Sequence, residues 1–193
     1  LTISLIVSLI SALAAGPASA ADYTHIWIDQ ATGTNSPDTP GTPDEPFKSI
    51  TYALAVADFQ SWPDPWHVHI GPGVYDANRP GNEKEIFPIK LRQAMLFEGA
   101  DCADPNNRSV DPNTRIIDGQ HLILGLAPLL LGQNCTGLQI RNLTLRNMAY
   151  SEGNGGAAEL IECAGKIENC IVRNNKAKQG GGLWLSPRTT PVP

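Results

Sequence analysis

The amino-acid sequence predicts an all-β fold, a parallel β-helix in which short strands wind into stacked coils. The first observation behind this is a repeat. Ile140-Arg141-Asn142-Leu143-Thr144-Leu145-Arg146-Asn147 recurs further along the chain as Ile167-Glu168-Asn169-Cys170-Ile171-Val172-Arg173-Asn174. The second is that each copy leads into a glycine cluster and another short apolar run, Gly155 to Leu160 and then Gly180 to Leu185. A period in the twenties, built from β-type runs without helical spacing, is the signature of a solenoid of strands. Composition agrees, because 18 glycines and 16 prolines suit a turn-rich β-protein better than a helical bundle.

Taken in order, Leu1 to Ala21 carries no charge, and an apolar run from Leu1 to Leu13 leads to Ala18-Ser19-Ala20. This reads as a secretory signal over residues 1–20, cut before Ala21 and too short for a comfortable membrane span. The chain opens on Leu without a basic leader, so it reads as a fragment at its front. Residues 21–65 form the start of the single mature domain. Tyr23 to Asp29 is a strand with Ile26 and Ile28 opposed to Trp27, and Gln30 to Glu45 is a loop. Pro46 then opens an amphipathic capping helix over Phe47 to Ala57, with Phe47, Ile50, Leu54 and Ala57 on one face.

Residues 66–193 read as the coils. Val68 and Ile70 alternate with His67 and His69, Gly71-Pro72-Gly73 turns the chain, and Val74-Tyr75 resumes. Further short strands are expected at Phe87 to Leu91, Met95 to Phe97, Arg115 to Ile117 and Leu122 to Leu126. Trp66 to Leu185 is 120 residues (185 − 66 + 1), about five coils at roughly 20–27 residues each. The sequence stops at Pro193 directly after a coil, without the polar cap that solenoids need, which predicts a truncated C-terminal end with coils still to come.

Within the repeat, Ile140, Leu143 and Leu145 face inward while Arg141, Thr144 and Arg146 face water. Alternation slips by one at Asn142, and asparagine tolerates the left-handed backbone that such a corner needs. Stacking the next coil about 4.8 Å away sets Asn169 over Asn142, so their amides can form a ladder.

The N-terminal half resembles a known pattern. Ile26-Trp27-Ile28-Asp29, Thr32-Gly33-Thr34-Asn35, Pro46-Phe47-Lys48-Ser49-Ile50, Ile70-Gly71-Pro72-Gly73-Val74-Tyr75, Phe97-Glu98-Gly99 and Ile117-Asp118-Gly119 stand in the order found in secreted right-handed β-helix proteins of the pectin-lyase-like superfamily. They resemble most the family catalogued as domain of unknown function 1565. The resemblance implies a right-handed β-helix, export to the cell surface or beyond, and a bias towards polysaccharide. It brings no catalytic residue: the superfamily's lyases use aspartate-bound calcium and a basic residue, and here Arg141, Arg146 and Arg173 have no acidic pair beside them in sequence.

Several residue sets could carry function. Arg146 and Arg173 should stack on one outer face and could meet carboxylates of an acidic glycan, with Trp184 exposed to stack on a sugar; equally, they could be solvated surface residues. Asp29, Asp38 and Asp44 in the first loop are oxygen ligands for calcium, or ordinary turn residues. His67 and His69 share a strand face, but with no third ligand evident they read as solvent-facing. Asp118, before Gly119, reads as a turn residue rather than a catalytic carboxylate.

Cys102, Cys135, Cys163 and Cys170 include no CxxC pair, which disfavours a zinc knuckle or a thioredoxin-like motif. They form either two disulfides, Cys163–Cys170 with Cys102–Cys135, or buried free thiols. A net charge of −5 without a basic cluster argues against nucleic acid. The expectation is an exported protein that binds or processes polysaccharide, as a lyase or hydrolase if an enzyme; the alternative is a non-catalytic adhesin-like surface protein.

Overall fold

The computed structural model describes residues 22–101, 104, 110–121 and 127–186. The expected signal segment, the strand at Leu122 to Leu126 and Cys102 lie outside them. The strands are β1 (Thr24–Ile28), β2 (Trp66–Ile70), β3 (Gly73–Asp76), β4 (Ile89–Leu91), β5 (Leu96–Gly99), β6 (Arg115–Asp118), β7 (Leu130–Gln133), β8 (Thr136–Arg141), β9 (Thr144–Arg146), β10 (Ala149–Asn154), β11 (Ala158–Ile161), β12 (Ala164–Glu168), β13 (Ile171–Arg173), β14 (Lys176–Gln179) and β15 (Leu183–Ser186). One α-helix, α1 (Ile50–Phe59), stands near the start.

Every pairing among these strands is parallel, and each joins one coil to the next. Three long sheets result, in the orders β1-β2-β5-β8-β12, β13-β9-β6-β3 and β15-β11-β7-β4, with β10-β14 filling one corner. The fold is a parallel β-helix solenoid. Its described part holds four coils after β1 rather than the five expected. His67, Leu96, Gln139 and Lys166 occupy one register position, yet the steps between them along the chain are unequal. The step from Leu96 to Gln139 is the longest.

The interior follows from register. Ile26, Val68, Phe97, Ile140 and Ile167 stack in one inner column, and Tyr75, Ile117, Leu145 and Val172 in another. All are buried except Ile167 and Val172 in the last coil, which are half-buried. Full burial of such a side chain contributes about 1.5–3 kcal/mol, which a lone coil with its inner face half open cannot collect.

Helix α1 starts three residues later than Phe47. Phe47 instead makes a parallel bridge to Ile28, its N–H donating to Trp27 O at 2.9 Å while its own carbonyl accepts from Asp29 N–H at 2.8 Å. The helix start is set from a distance: the Glu85 carboxylate accepts from the backbone N–H groups of Ile50 and Thr51, both at 2.8 Å, and from the Thr51 hydroxyl at 2.6 Å. Burial pushes the Glu85 carboxyl above its usual range, against these three bonds that favour its charge. Ile50, Ala53, Leu54, Val56 and Ala57 then close the core at the β1 end.

The coil corners use left-handed asparagines. Asn142, Asn147, Asn169 and Asn174 have φ of 60°, 59°, 47° and 56°. Asn169 Nδ2 donates to Asn142 Oδ1 at 2.8 Å, an amide ladder from one coil to the next.

Candidate functional site

Stacking in register turns each outward position into a column running along the solenoid. On the five-stranded sheet one column reads His25, His67, Leu96, Gln139, Lys166, and its neighbour Trp27, His69, Glu98, Arg141, Glu168. At the β1 end these columns bring three imidazoles together. One ring nitrogen from each of His25, His67 and His69 lies within 4.8 Å of the others, the close trio of metal-ligating groups among the described residues.

His67 and His69 do not face solvent as the sequence suggested: they are 8% and 5% exposed. Three neighbours shield them. The Trp27 indole stacks on His69 at 3.7 Å with the planes 3° apart, and Tyr23 meets His67 edge-on at 5.7 Å. Glu98, itself buried, supplies the third: its Oε1 bonds His67 Nε2 and lies 3.8 Å from His69 Nδ1. Its other oxygen accepts from Arg141 Nε. Burial alone would raise the Glu98 carboxyl, but the bonds from His67 and Arg141 more than offset it and hold the group at about 2. His25 Nδ1 and His69 Nε2 are 2.8 Å apart, so one proton at most lies between them. Burial, then the neighbouring His67, lowers the exposed-edge His25 below its usual range.

The missed third imidazole did leave a trace in the sequence. His25-Ile26-Trp27-Ile28 and His67-Val68-His69-Ile70 share an alternation with His in the first position, as two strands one coil apart should.

On the second long sheet, Asp76, Asp118, Arg146 and Arg173 form one outer column. Arg146 is half-buried rather than free in water, with its Nε 2.6 Å from Asp118 Oδ2. Asp118 also accepts from Asn147 Nδ2 and from the Gln120 N–H. The acidic partners thus come from the preceding coil, invisible along the sequence. Arg173 is exposed. Trp184 lies on β15, on a different sheet from Arg146 and Arg173, in register with Glu159 and half-buried. The three residues do not share one face.

In the first loop, Asp29 is buried and its Oδ1 accepts from the N–H groups of Ala31 and Thr32 at 2.9 and 3.0 Å, closing a turn. Asp38 and Asp44 line, with Glu45, Thr34 and Ser36, a pocket of about 300 Å³. Asp29 is not in that lining.

Cys135, Cys163 and Cys170 are free thiols. The thiol next to Cys163 is Cys135 of the preceding coil; Cys170 instead faces the carbonyls of Glu168 and Ile140, at 3.3 and 3.8 Å. Burial and the adjacent Cys163 push the Cys135 thiol up to about 11, so it is protonated and unreactive near neutral pH.

No helix among the described residues is long and apolar enough to cross a membrane. No curated protein and no solved structure matches the chain. Over residues 31–103, which run from the first loop through β5 and include His67, His69 and Glu98 but not His25, the chain matches the family model described as "Protein of unknown function (DUF1565)".

Proposed function

We propose that this chain is an exported β-helix domain that binds an acidic polysaccharide on the outer surface of its last described coil. One observation carries the reading. From Ala164 to Ser186 the sequence has four basic residues, Lys166, Arg173, Lys176 and Lys178, against the single acid Glu168, in a chain whose net charge is −5. All four are exposed, and none has an ion pair among the described residues. Among the cations of earlier coils, Lys48 is paired with Glu83, Arg92 with Asp58 and Asp64, Arg141 with Glu98, and Arg146 with Asp118, while Arg79, Lys84 and Lys90 also have no ion pair among the described residues but are not gathered at one corner of a coil. Arg173, Lys176 and Lys178 follow one another around a single corner, from β13 to β14. The rigid parallel surface holds these charges in place, so an anionic chain laid across them loses little of its attraction to reordering.

Binding is favoured over glycoside hydrolysis because hydrolysis needs two carboxylates able to donate a proton and attack. Glu98 and Asp118, buried outward carboxylates two coils before that surface, are each committed to an arginine. Export rests on the Ala18-Ser19-Ala20 pattern after the apolar run.

The test is affinity electrophoresis through gels containing acidic or neutral polysaccharides. Retention by an acidic glycan should weaken with added salt, and Arg173→Gln/Lys176→Gln/Lys178→Gln should lower it roughly tenfold or more. Equal retention of the triple variant, or equal retention by neutral glycans, would overturn the reading.

A further inference from the structure

The geometry points to a site for a divalent transition-metal ion at the β1 end of the solenoid, held by His25, His67 and His69 with Glu98 as the orienting carboxylate; we propose zinc or a close relative as its occupant. This does not depend on the polysaccharide reading, which uses other residues at the far end of the stack.

The donor set selects the class of ion. Three imidazole nitrogens suit zinc, cobalt, nickel or copper, whereas calcium takes oxygens. The arrangement also has the second layer that metal-binding histidines need. His67 bonds Glu98 through Nε2, so its Nδ1 is the nitrogen left for a metal. Glu98 is in turn fixed by Arg141 from the following coil. Trp27 stacked on His69 fixes the plane of the second ring.

The three nitrogens lie within 4.8 Å of one another, and the His67 ring, stacked on His69 at 3.7 Å, has to turn to aim its lone pair at a shared ion. Metal–nitrogen bonds of about 2.0–2.1 Å in a tetrahedron put ligand nitrogens about 3.3 Å apart. The 2.8 Å between His25 Nδ1 and His69 Nε2 reaches that by a small opening on the exposed His25 side. Three protein ligands leave a fourth position for water or a small ligand at the same edge. On binding, the proton between His25 Nδ1 and His69 Nε2 passes to the other nitrogen of the ring that carries it, and because protonation of an imidazole competes with the metal, affinity should fall with acid.

The experiment uses tag-free chain stripped of metal by a chelator, then titrated with Co²⁺ while its visible absorption is followed, with Zn²⁺ added as competitor. The expected result is one equivalent of Co²⁺ with the intense bands of a four-coordinate site, displaced by Zn²⁺ and unaffected by Ca²⁺. His67 and His69 are buried, so their removal could simply unfold the chain; His25→Gln, at the exposed edge, is the decisive variant. It should keep the metal-free Tm and abolish the bands. Glu98→Gln should weaken binding by about 10–100-fold. Folded wild type that takes up no stoichiometric Co²⁺, or a His25→Gln variant that binds as well as wild type, would overturn the site. Polysaccharide retention should be the same in wild type and His25→Gln, so either reading can fall alone.

Discussion

The outer face of the five-stranded sheet is one surface by construction and two by chemistry. At the β1 and β2 end its columns hold Trp27, His69 and Glu98, all buried, stacked or bonded along the solenoid axis. At the β12 end the same columns hold Lys166 and Glu168, both exposed. The backbone is equivalent at the two ends, and the difference lies in which pairs engage: Arg141 has a carboxylate in register on either side, Glu98 and Glu168, and its ion pair is with the buried Glu98. A carboxylate beneath an arginine, as with Glu98 and Arg141, becomes internal scaffolding. A cation stacked on a cation, as with Arg146 and Arg173, leaves the outer one available to something else.

The sharpest way to break this contrast is Glu98→Ala. It strands Arg141 and the imidazoles without their common partner and should destabilise the chain by about 3 kcal/mol in urea titrations. If the change proves neutral, the β1 end is no more internal than the β12 end. The same carboxylate sets an acid limb. With its folded value at about 2 against the usual 4.5, Glu98 contributes stability that is complete above 4.5 and is lost as pH falls towards 2. The loss is on the order of 3 kcal/mol, and Glu98→Gln should flatten that part of a stability-against-pH curve. A wild-type profile flat between pH 4.5 and 2 would count against the ion pair.

The corner asparagines sharpen the comparison on a smaller scale. Asn142→Ala forces a left-handed φ of 60° on alanine and breaks the amide ladder, at about 1–2 kcal/mol, and Asn142→Gly should recover part of it. Asn169→Ala, at the exposed end of the same ladder, should cost less; thermal melts rank the three. Smallest of all is Glu168→Ala, expected within about 0.5 kcal/mol of wild type although it occupies the column position of Glu98.

The repeat made the coils legible because solenoid stacking is a local rule applied again and again: Ile167 over Ile140 and Asn169 over Asn142 follow from matching two segments. What could not be read locally came from partners far along the chain. The start of α1 depends on Glu85, 35 residues beyond Ile50, so a proline at position 46 misled. Asp118 pairs with Arg146 across 28 residues, and Glu98 with Arg141 across 43. The histidine trio was half visible, since alternation put His67 and His69 on one face. Its completion by His25 required the register of β1 on β2, and the burial of His67 and His69 required Trp27 and Glu98 on the neighbouring coils to either side.

The rung-crossing pairs also have a mechanical meaning. In this fold the backbone bonds between coils run along the axis, so tension applied from end to end loads the junctions in series. Coils should then detach one by one rather than all together. The β5–β8 level is cross-braced by Glu98–Arg141, and the adjoining β6–β9 level by Asp118–Arg146, whereas the β8–β12 level has the Asn142–Asn169 bond. Among the described coils the β8–β12 junction would therefore yield before the two cross-braced levels, releasing chain in lengths of one coil while the histidine end stays wound.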